Sequence, residues 1–287
     1  MNQIKFTTLR LFAAALLMCA ALSLSAQDNK AQTSALQYSE KDFADKYTEA
    51  VEFYLKTLES SPDDAIVFNN LGTAYIKIKK YDEAIAALEK ASALDPNFAN
   101  GFYNLGVAYL LTNRTAEAVT VLQKAVALNP RFVKARTQLC IVYLAAEQTE
   151  AAVGCYKELL PLAPQDSQAR SNYGFALMNT NRLKEAIVVL EESARLFPTH
   201  VETFNNLGAA LFQAGRRKEA ISAYDRGLVI APNNEEIRYN LGVAQLADKN
   251  KNAALEQYAF LKNSNAELAQ QLFEMIYSDK LVSAKQK

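Results

Sequence analysis

FNNLGTAY occupies Phe68–Tyr75, and FNNLGAAL returns at Phe204–Leu211, an offset of 136 residues or four periods of 34. The same interval governs the rest of the chain. Glycine stands at Gly72, Gly106, Gly174, Gly208 and Gly242, and Cys140 takes the one grid point that glycine misses. Six of the seven prolines, Pro62, Pro96, Pro130, Pro164, Pro198 and Pro232, keep the spacing, as do seven alanines from Ala50 to Ala254. Three residue types in one register define a repeat array.

Each type has a physical role. In LGTAYIKIKK, Leu71, Ala74, Tyr75 and Ile78 recur at helical spacing; in YDEAIAALEKASAL, Ala84, Leu88, Ala91 and Leu94 mark one face of a second helix. Gly72 and Ala84 carry almost no side chain, so two antiparallel helices can cross closely there. Cys140 is small enough to keep the third crossing tight. Proline follows the second helix, where the chain has to turn. Acids such as Asp82, Glu117, Glu185 and Glu219 open the second helices, and bases such as Lys80, Arg114, Arg182 and Arg216 lie at the preceding turn. That order complements both helix dipoles. GRRKEA (215–220) fits dipole compensation on a solvated turn better than a dedicated acidic-partner edge.

The sequence of Leu-Gly, Tyr, Ala, an aromatic residue or Leu, and Pro within each unit resembles the tetratricopeptide repeat. Six full units run 65–98, 99–132, 133–166, 167–200, 201–234 and 235–268, with departures at Cys140, Tyr173 and Ala266. The resemblance implies an all-α fold: a right-handed superhelical solenoid of antiparallel helix pairs. A partial repeat (41–64), with no recognisable first helix, precedes the array. A closing helix and tail (269–287) follow it, with Leu268, Leu272 and Ile276 forming the stripe that caps the last exposed face.

The residue before each Leu-Gly point is an amide: Asn70, Asn104, Gln138, Asn172, Asn206 and Asn240. Asparagine is a mediocre helix former, so the column needs a reason. In proteins of this kind the first helices line a concave groove, and the resemblance implies that these amides hold the backbone of an extended peptide. An amide offers a donor and an acceptor to any peptide group. First helices about 10 Å apart would address every third residue of a chain advancing about 3.3 Å per residue. Three positions on, Thr73, Val107 and Phe175 lie on the same face, and Phe212 lies six beyond Asn206, giving the groove partly apolar walls. The other role open to the amides is to fasten neighbouring repeats.

The beginning of the chain reads differently. Lys5 and Arg10 precede an apolar run from Leu11 to Leu24, then small and polar residues, the order of a secretory signal peptide ending at Ala26. Residues 27–40 form a polar leader. The expectation is an exported bacterial protein, periplasmic or secreted, touching membrane only through an uncleaved segment 1–26. Charge is balanced at 31 basic and 31 acidic residues, which gives no field for nucleic acid. Cys140 and Cys155 are expected as two small buried thiols, although an oxidising compartment permits a disulfide.

No catalytic constellation, cofactor motif or metal-ligand spacing emerges. The single histidine, His200, sits by Pro198 as a solvated turn residue. The expected function is a non-catalytic scaffold with a protein or peptide ligand and no small-molecule substrate. The alternative is a structural adaptor for envelope, pilus or outer-membrane assembly, working through convex faces or its terminal helix.

Overall fold

The computed structural model describes residues 40–285, with side chains from 44 to 277; the expected export segment 1–26 and the leader up to residue 39 lie outside the described residues. These residues form fourteen helices and no strand, grouped in two compact units that divide between Cys155 and Tyr156. The first unit holds α1 (Glu40–Ser60), α2 (Ala65–Lys77), α3 (Tyr81–Leu94), α4 (Ala99–Leu111), α5 (Thr115–Leu128) and α6 (Val133–Ala145). The division falls inside α7 (Thr149–Leu159). The second unit continues with α8 (Ser167–Asn179), α9 (Leu183–Leu196), α10 (Val201–Gln213), α11 (Arg217–Ile230), α12 (Glu235–Ala247), α13 (Lys251–Ser264) and α14 (Ala266–Lys285). Even-numbered helices from α2 to α12 are the first helices of their repeats.

Two turn types recur in register. Between a second helix and the next first helix, the amide three residues along closes a turn onto the residue before proline: Asp64 N to Ser61 O at 3.4 Å, Phe98 N to Asp95 O at 3.1 Å, His200 N to Phe197 O at 3.1 Å. Proline then occupies the second turn position, where its fixed φ is already suitable. The closing residue is the N-cap of the next helix, and Asp64, Asp166 and Asn234 accept backbone N–H bonds there. Within each pair the first helix ends on a left-handed residue: Lys79, Asn113, Glu147, Asn181, Gly215 and Lys249, again 34 apart. The next amide reaches back across the turn, as in Arg114 N to Tyr109 O at 2.8 Å and Arg216 N to Leu211 O at 2.9 Å. That bond satisfies a carbonyl left open by the helix end.

The crossings are as close as the small residues allow. A Cβ on Gly72 would stand 2.5 Å from Leu88 Cγ, and one on Gly208 would stand 2.5 Å from Tyr224 Cε1. The facing alanines Ala84, Ala118, Ala152, Ala186, Ala220 and Ala254 are fully buried. At the third crossing Cys140 is bonded to Cys155, with Cα atoms 5.3 Å apart, so the expected free thiols are a disulfide tying α6 to α7 within the first unit.

Both ends depart from the repeat. The stretch whose first helix the sequence left unrecognised is one 21-residue helix, α1, packed on α2. At the other end Ala266 replaces the expected proline, and Asn265 alone links α13 to α14, its side chain accepting Leu268 N at 3.1 Å. The closing helix therefore starts before residue 269. A Cβ on Gly242 would meet Leu272 Cδ2 at 2.7 Å, so α14 fills the space opposite the last grid glycine. Leu272 and Ile276 are buried there with Ala269 and Leu261, and Leu268 packs against the same cluster.

Candidate functional site

The amide column lies on first helices, and three of its donors, those of Asn104, Asn206 and Asn240, reach the preceding first helix of the same unit. In the first unit Asn104 Nδ2 donates to Asn69 Oδ1 at 2.8 Å and lies 3.5 Å from Thr73 Oγ1, while Asn69 Nδ2 donates to Asn70 Oδ1 at 3.3 Å. In the second unit Asn206 Nδ2 donates to Ser171 Oγ at 3.0 Å, and Asn240 Nδ2 donates to Asn205 Oδ1 at 2.9 Å. Asn205 in turn donates to Glu236 Oε1 at 3.0 Å. Asn172 is buried, donating to Tyr156 Oη at 3.3 Å and accepting from Gln168 at 3.0 Å. Gln138 is buried as well.

One N–H of Asn104, Asn206 and Asn240 is thus committed to the stack. The nitrogen of Asn104 also reaches Thr73 Oγ1 at 3.5 Å and that of Asn206 reaches Ser171 O at 3.4 Å, whereas the carbonyl oxygen of each of the three has no hydrogen bond among the described residues, and the three side chains are only partly buried. The residues that receive the stacking bonds, Asn69, Ser171 and Asn205, were missed in the sequence. For Asn69 and Asn205 the signal is the first asparagine of the doubled pair in FNN; Ser171 has no such mark.

The apolar walls separate into two sets. Thr73, Phe175 and Phe212 keep partial exposure, although Thr73 Oγ1 donates to Asn69 O at 2.9 Å and Phe212 packs against the Val243 cluster. Val107 is interior, only 5% exposed, and its partner positions Ala209 and Val243 are buried too. A face that is continuous along one helix becomes discontinuous once the adjacent helices of the unit close over it.

Electrostatics concentrate at the N-terminal ends of α10 and α12. Burial pushes the Glu236 carboxyl above its ordinary range, the Asn205 bond opposes that rise, and the Glu202 charge adds to it. His200 is half-buried rather than solvated: its Nδ1 lies 2.9 Å from Thr203 Oγ1, which lies 3.0 Å from Ser193 Oγ. Burial lowers the His200 pKa, against the pull of Glu202 and Asp166. At the turns Arg114, Arg182 and Arg216 each pair with the glutamate three residues on, at 2.8, 2.6 and 2.6 Å. GRRKEA is therefore partly self-neutralised. Among the described residues no group of three His, Cys, Asp or Glu side chains is placed to hold a metal ion.

Six crossed helix pairs at a 34-residue interval define a helix-pair repeat protein. Sequence signatures described as TPR repeat match 72–113 and 210–248, and signatures described as tetratricopeptide repeat match 109–171 and 53–86; together they reach more than half of the chain. The chain belongs to the tetratricopeptide repeat family. Solved structures agree in fold. The crystal structure of YrrB, described as a TPR protein with an unusual peptide-binding site, is 24% identical with a TM-score of 0.61, covering 65% of this chain and 96% of its own. MamA from Desulfovibrio magneticus RS-1 is 20% identical at 0.55, covering 59% and 96%. The anaphase-promoting-complex hetero-tetramer Cut9–Hcn1 is 17% identical at 0.56, covering 92% of this chain and 52% of its own. No curated protein matches the chain by sequence.

Proposed function

We propose that this protein is a non-catalytic scaffold whose first helices hold an extended peptide or protein segment. The observation that carries this reading is the divided use of the amides. The side-chain nitrogens of Asn104, Asn206 and Asn240 fix these amides to the repeat before them, which leaves the carbonyl oxygen of each as an acceptor already oriented. Restricting a rotamer before the ligand arrives lowers the entropy lost on binding. Each retained carbonyl oxygen can accept one N–H of a peptide backbone, whatever side chain follows. Phe175 and Phe212 add partly exposed rings for apolar side chains. The peptide-binding site ascribed to YrrB, which has the same fold, supports the reading.

We place the protein outside the cytoplasm, periplasmic or secreted. The support is the basic, apolar, small-residue order of residues 1–26, together with a disulfide, a bond that persists in oxidising compartments.

The test is selection of a random-peptide display library on the full mature chain. Peptides retained by the wild type should be released by the Asn104→Ala, Asn206→Ala, Asn240→Ala triple variant at unchanged helical circular dichroism. Equal retention by both proteins would remove the amides from the function.

A further inference from the structure

Asn240 is held by a chain of bonds that ends on a charge. Its Nδ2 donates to Asn205 Oδ1 at 2.9 Å, and Asn205 Nδ2 donates to Glu236 Oε1 at 3.0 Å. In the first unit the matching chain runs from Asn104 through Asn69 to Asn70, at 2.8 and 3.3 Å. That chain ends on a neutral amide, and four periods before Glu236 the sequence has Asn100.

The end group decides the direction of the chain. An amide both donates and accepts, so a chain ending on one is compatible with either order. An ionised carboxylate accepts only. It draws the Asn205 nitrogen towards itself, which turns the Asn205 oxygen to Asn240 and requires Asn240 to present its nitrogen. Asn205, Glu236 and Asn240 are all half-buried, so a reversed amide would set oxygen against oxygen where water screens poorly.

We propose that Glu236 is a positioning residue for the amide column: through Asn205, its carboxylate dictates that Asn240 spends its nitrogen on the stack and keeps its carbonyl oxygen for the N–H of a bound peptide. The inference rests on the reading of that column as a peptide-holding surface, and it adds a control by pH. A protonated Glu236 carries an O–H donor whose acceptor is Asn205 Oδ1. Asn205 then turns round, Asn240 follows, and a donor replaces the acceptor offered to the peptide.

The surroundings favour that protonation. Helix α12 packs against α10, α11, α13 and α14. From α10 the Glu202 charge adds to the effect of burial in raising the Glu236 pKa. From α11 Tyr224 faces it as a neutral phenol, its own pKa raised by burial and by the Glu236 charge. Towards α13 and α14 the charged groups of α12 are otherwise engaged: Arg238 binds Pro232 O and Gln257, and Glu235 accepts from Asn265 at 2.8 Å. His200 lies 3.5 Å from Glu202 and is the other group that titrates nearby.

The test follows the side-chain amide signals of Asn205 and Asn240 by nuclear magnetic resonance on the ligand-free, full mature chain as pH is lowered. Both signals should move together as Glu236 protonates, and both should stay still in Glu236→Gln, which retains His200 and Glu202. In Asn205→Ala the Asn240 signal should cease to follow pH, although Glu236 still titrates there. A static Asn240 signal in the wild type would overturn the proposal. So would an equal response in Asn205→Ala, which is a field effect through space, or one that persists in Glu236→Gln. A display-selected peptide, measured by calorimetry over the same interval, should bind the wild type about fivefold more weakly once Glu236 is protonated, the loss of one neutral bond. Its affinity for Glu236→Gln should not change. Signals that move while the wild-type affinity stays constant would uphold the relay and remove Asn240 from peptide binding.

Discussion

Asn206 of α10 donates to Ser171 of α8 at 3.0 Å, one residue short of the amide that holds the same place one repeat earlier. The two residues are 35 positions apart, one more than the period, and the same offset of one joins α4 to α2 and α12 to α10. Ser171 is fully buried, so the bond operates where water does not compete. Asn206→Ala and Ser171→Ala should each lower stability by about 1 kcal/mol, and the double variant should cost little more than either alone. Denaturant melts of the four proteins provide the cycle. Full additivity would mean the bond contributes nothing.

Gly72 and Gly154 should respond oppositely to a side chain. Gly72→Val would drive a Cβ to 2.5 Å from Leu88 Cγ and 3.1 Å from Ala84 O, and should destabilise by about 1–3 kcal/mol. A Cβ on Gly154 meets nothing within 4 Å, so Gly154→Ala should stabilise by about 0.5–1 kcal/mol through helix propensity. Thermal unfolding of the two variants checks the pair.

Glu147 ends α6 at φ +57°, a conformation disfavoured for any residue with a Cβ. Glu147→Gly should raise stability by about 1 kcal/mol, despite the greater freedom glycine gives the unfolded chain. The matching change at Asn113, which tolerates the left-handed region better, should gain less.

Cys140 and Cys155 close a loop of 15 residues, for which the chain-entropy estimate is about 3 kcal/mol. Thiol titration of the unfolded, non-reduced protein should find neither cysteine free. Reduction, or the double alanine variant, should lower the melting temperature of the first unit's transition.

Glu236 sets a pH dependence of defined sign. Its folded pKa is raised by burial, so the protonated form is favoured in the native state. The contribution is fully present below the ordinary glutamate range and is lost as pH rises through the raised value. Glu236→Gln removes that loss and still accepts the Asn205 bond. The variant should melt higher than wild type at pH 7, and the gap should close towards pH 4. His200 acts the other way: its lowered pKa favours the neutral ring, so stability falls as pH drops through it.

What could be read in the sequence was whatever a residue type expresses by itself. Pro62 and its equivalents are the second position of a turn, and Gly72 or Ala84 a crossing; both uses follow from the shape of the residue. The left-handed column from Lys79 to Lys249 escaped, because lysine, asparagine, glutamate and glycine share no side-chain chemistry and the helix-end bonds alone impose the conformation. The Cys140–Cys155 bond escaped because periodicity explains a small residue at 140 and says nothing of one 15 positions later. Val107 shares a helical face with Asn104, yet neighbouring elements bury it, a non-local fact. The place of His200 beside Pro198 suggests a solvated turn, whereas Thr203, three residues on, draws its ring inward.

Calorimetry of one display-selected peptide against the wild type, Ser171→Ala and Asn206→Ala chains separates the two uses of the amides. If the amides hold peptide backbone, Asn206→Ala loses at least tenfold in affinity while Ser171→Ala, with the Asn206 amide intact, keeps most of it. Equal affinity for all three proteins would reduce the column to a fastening between helices.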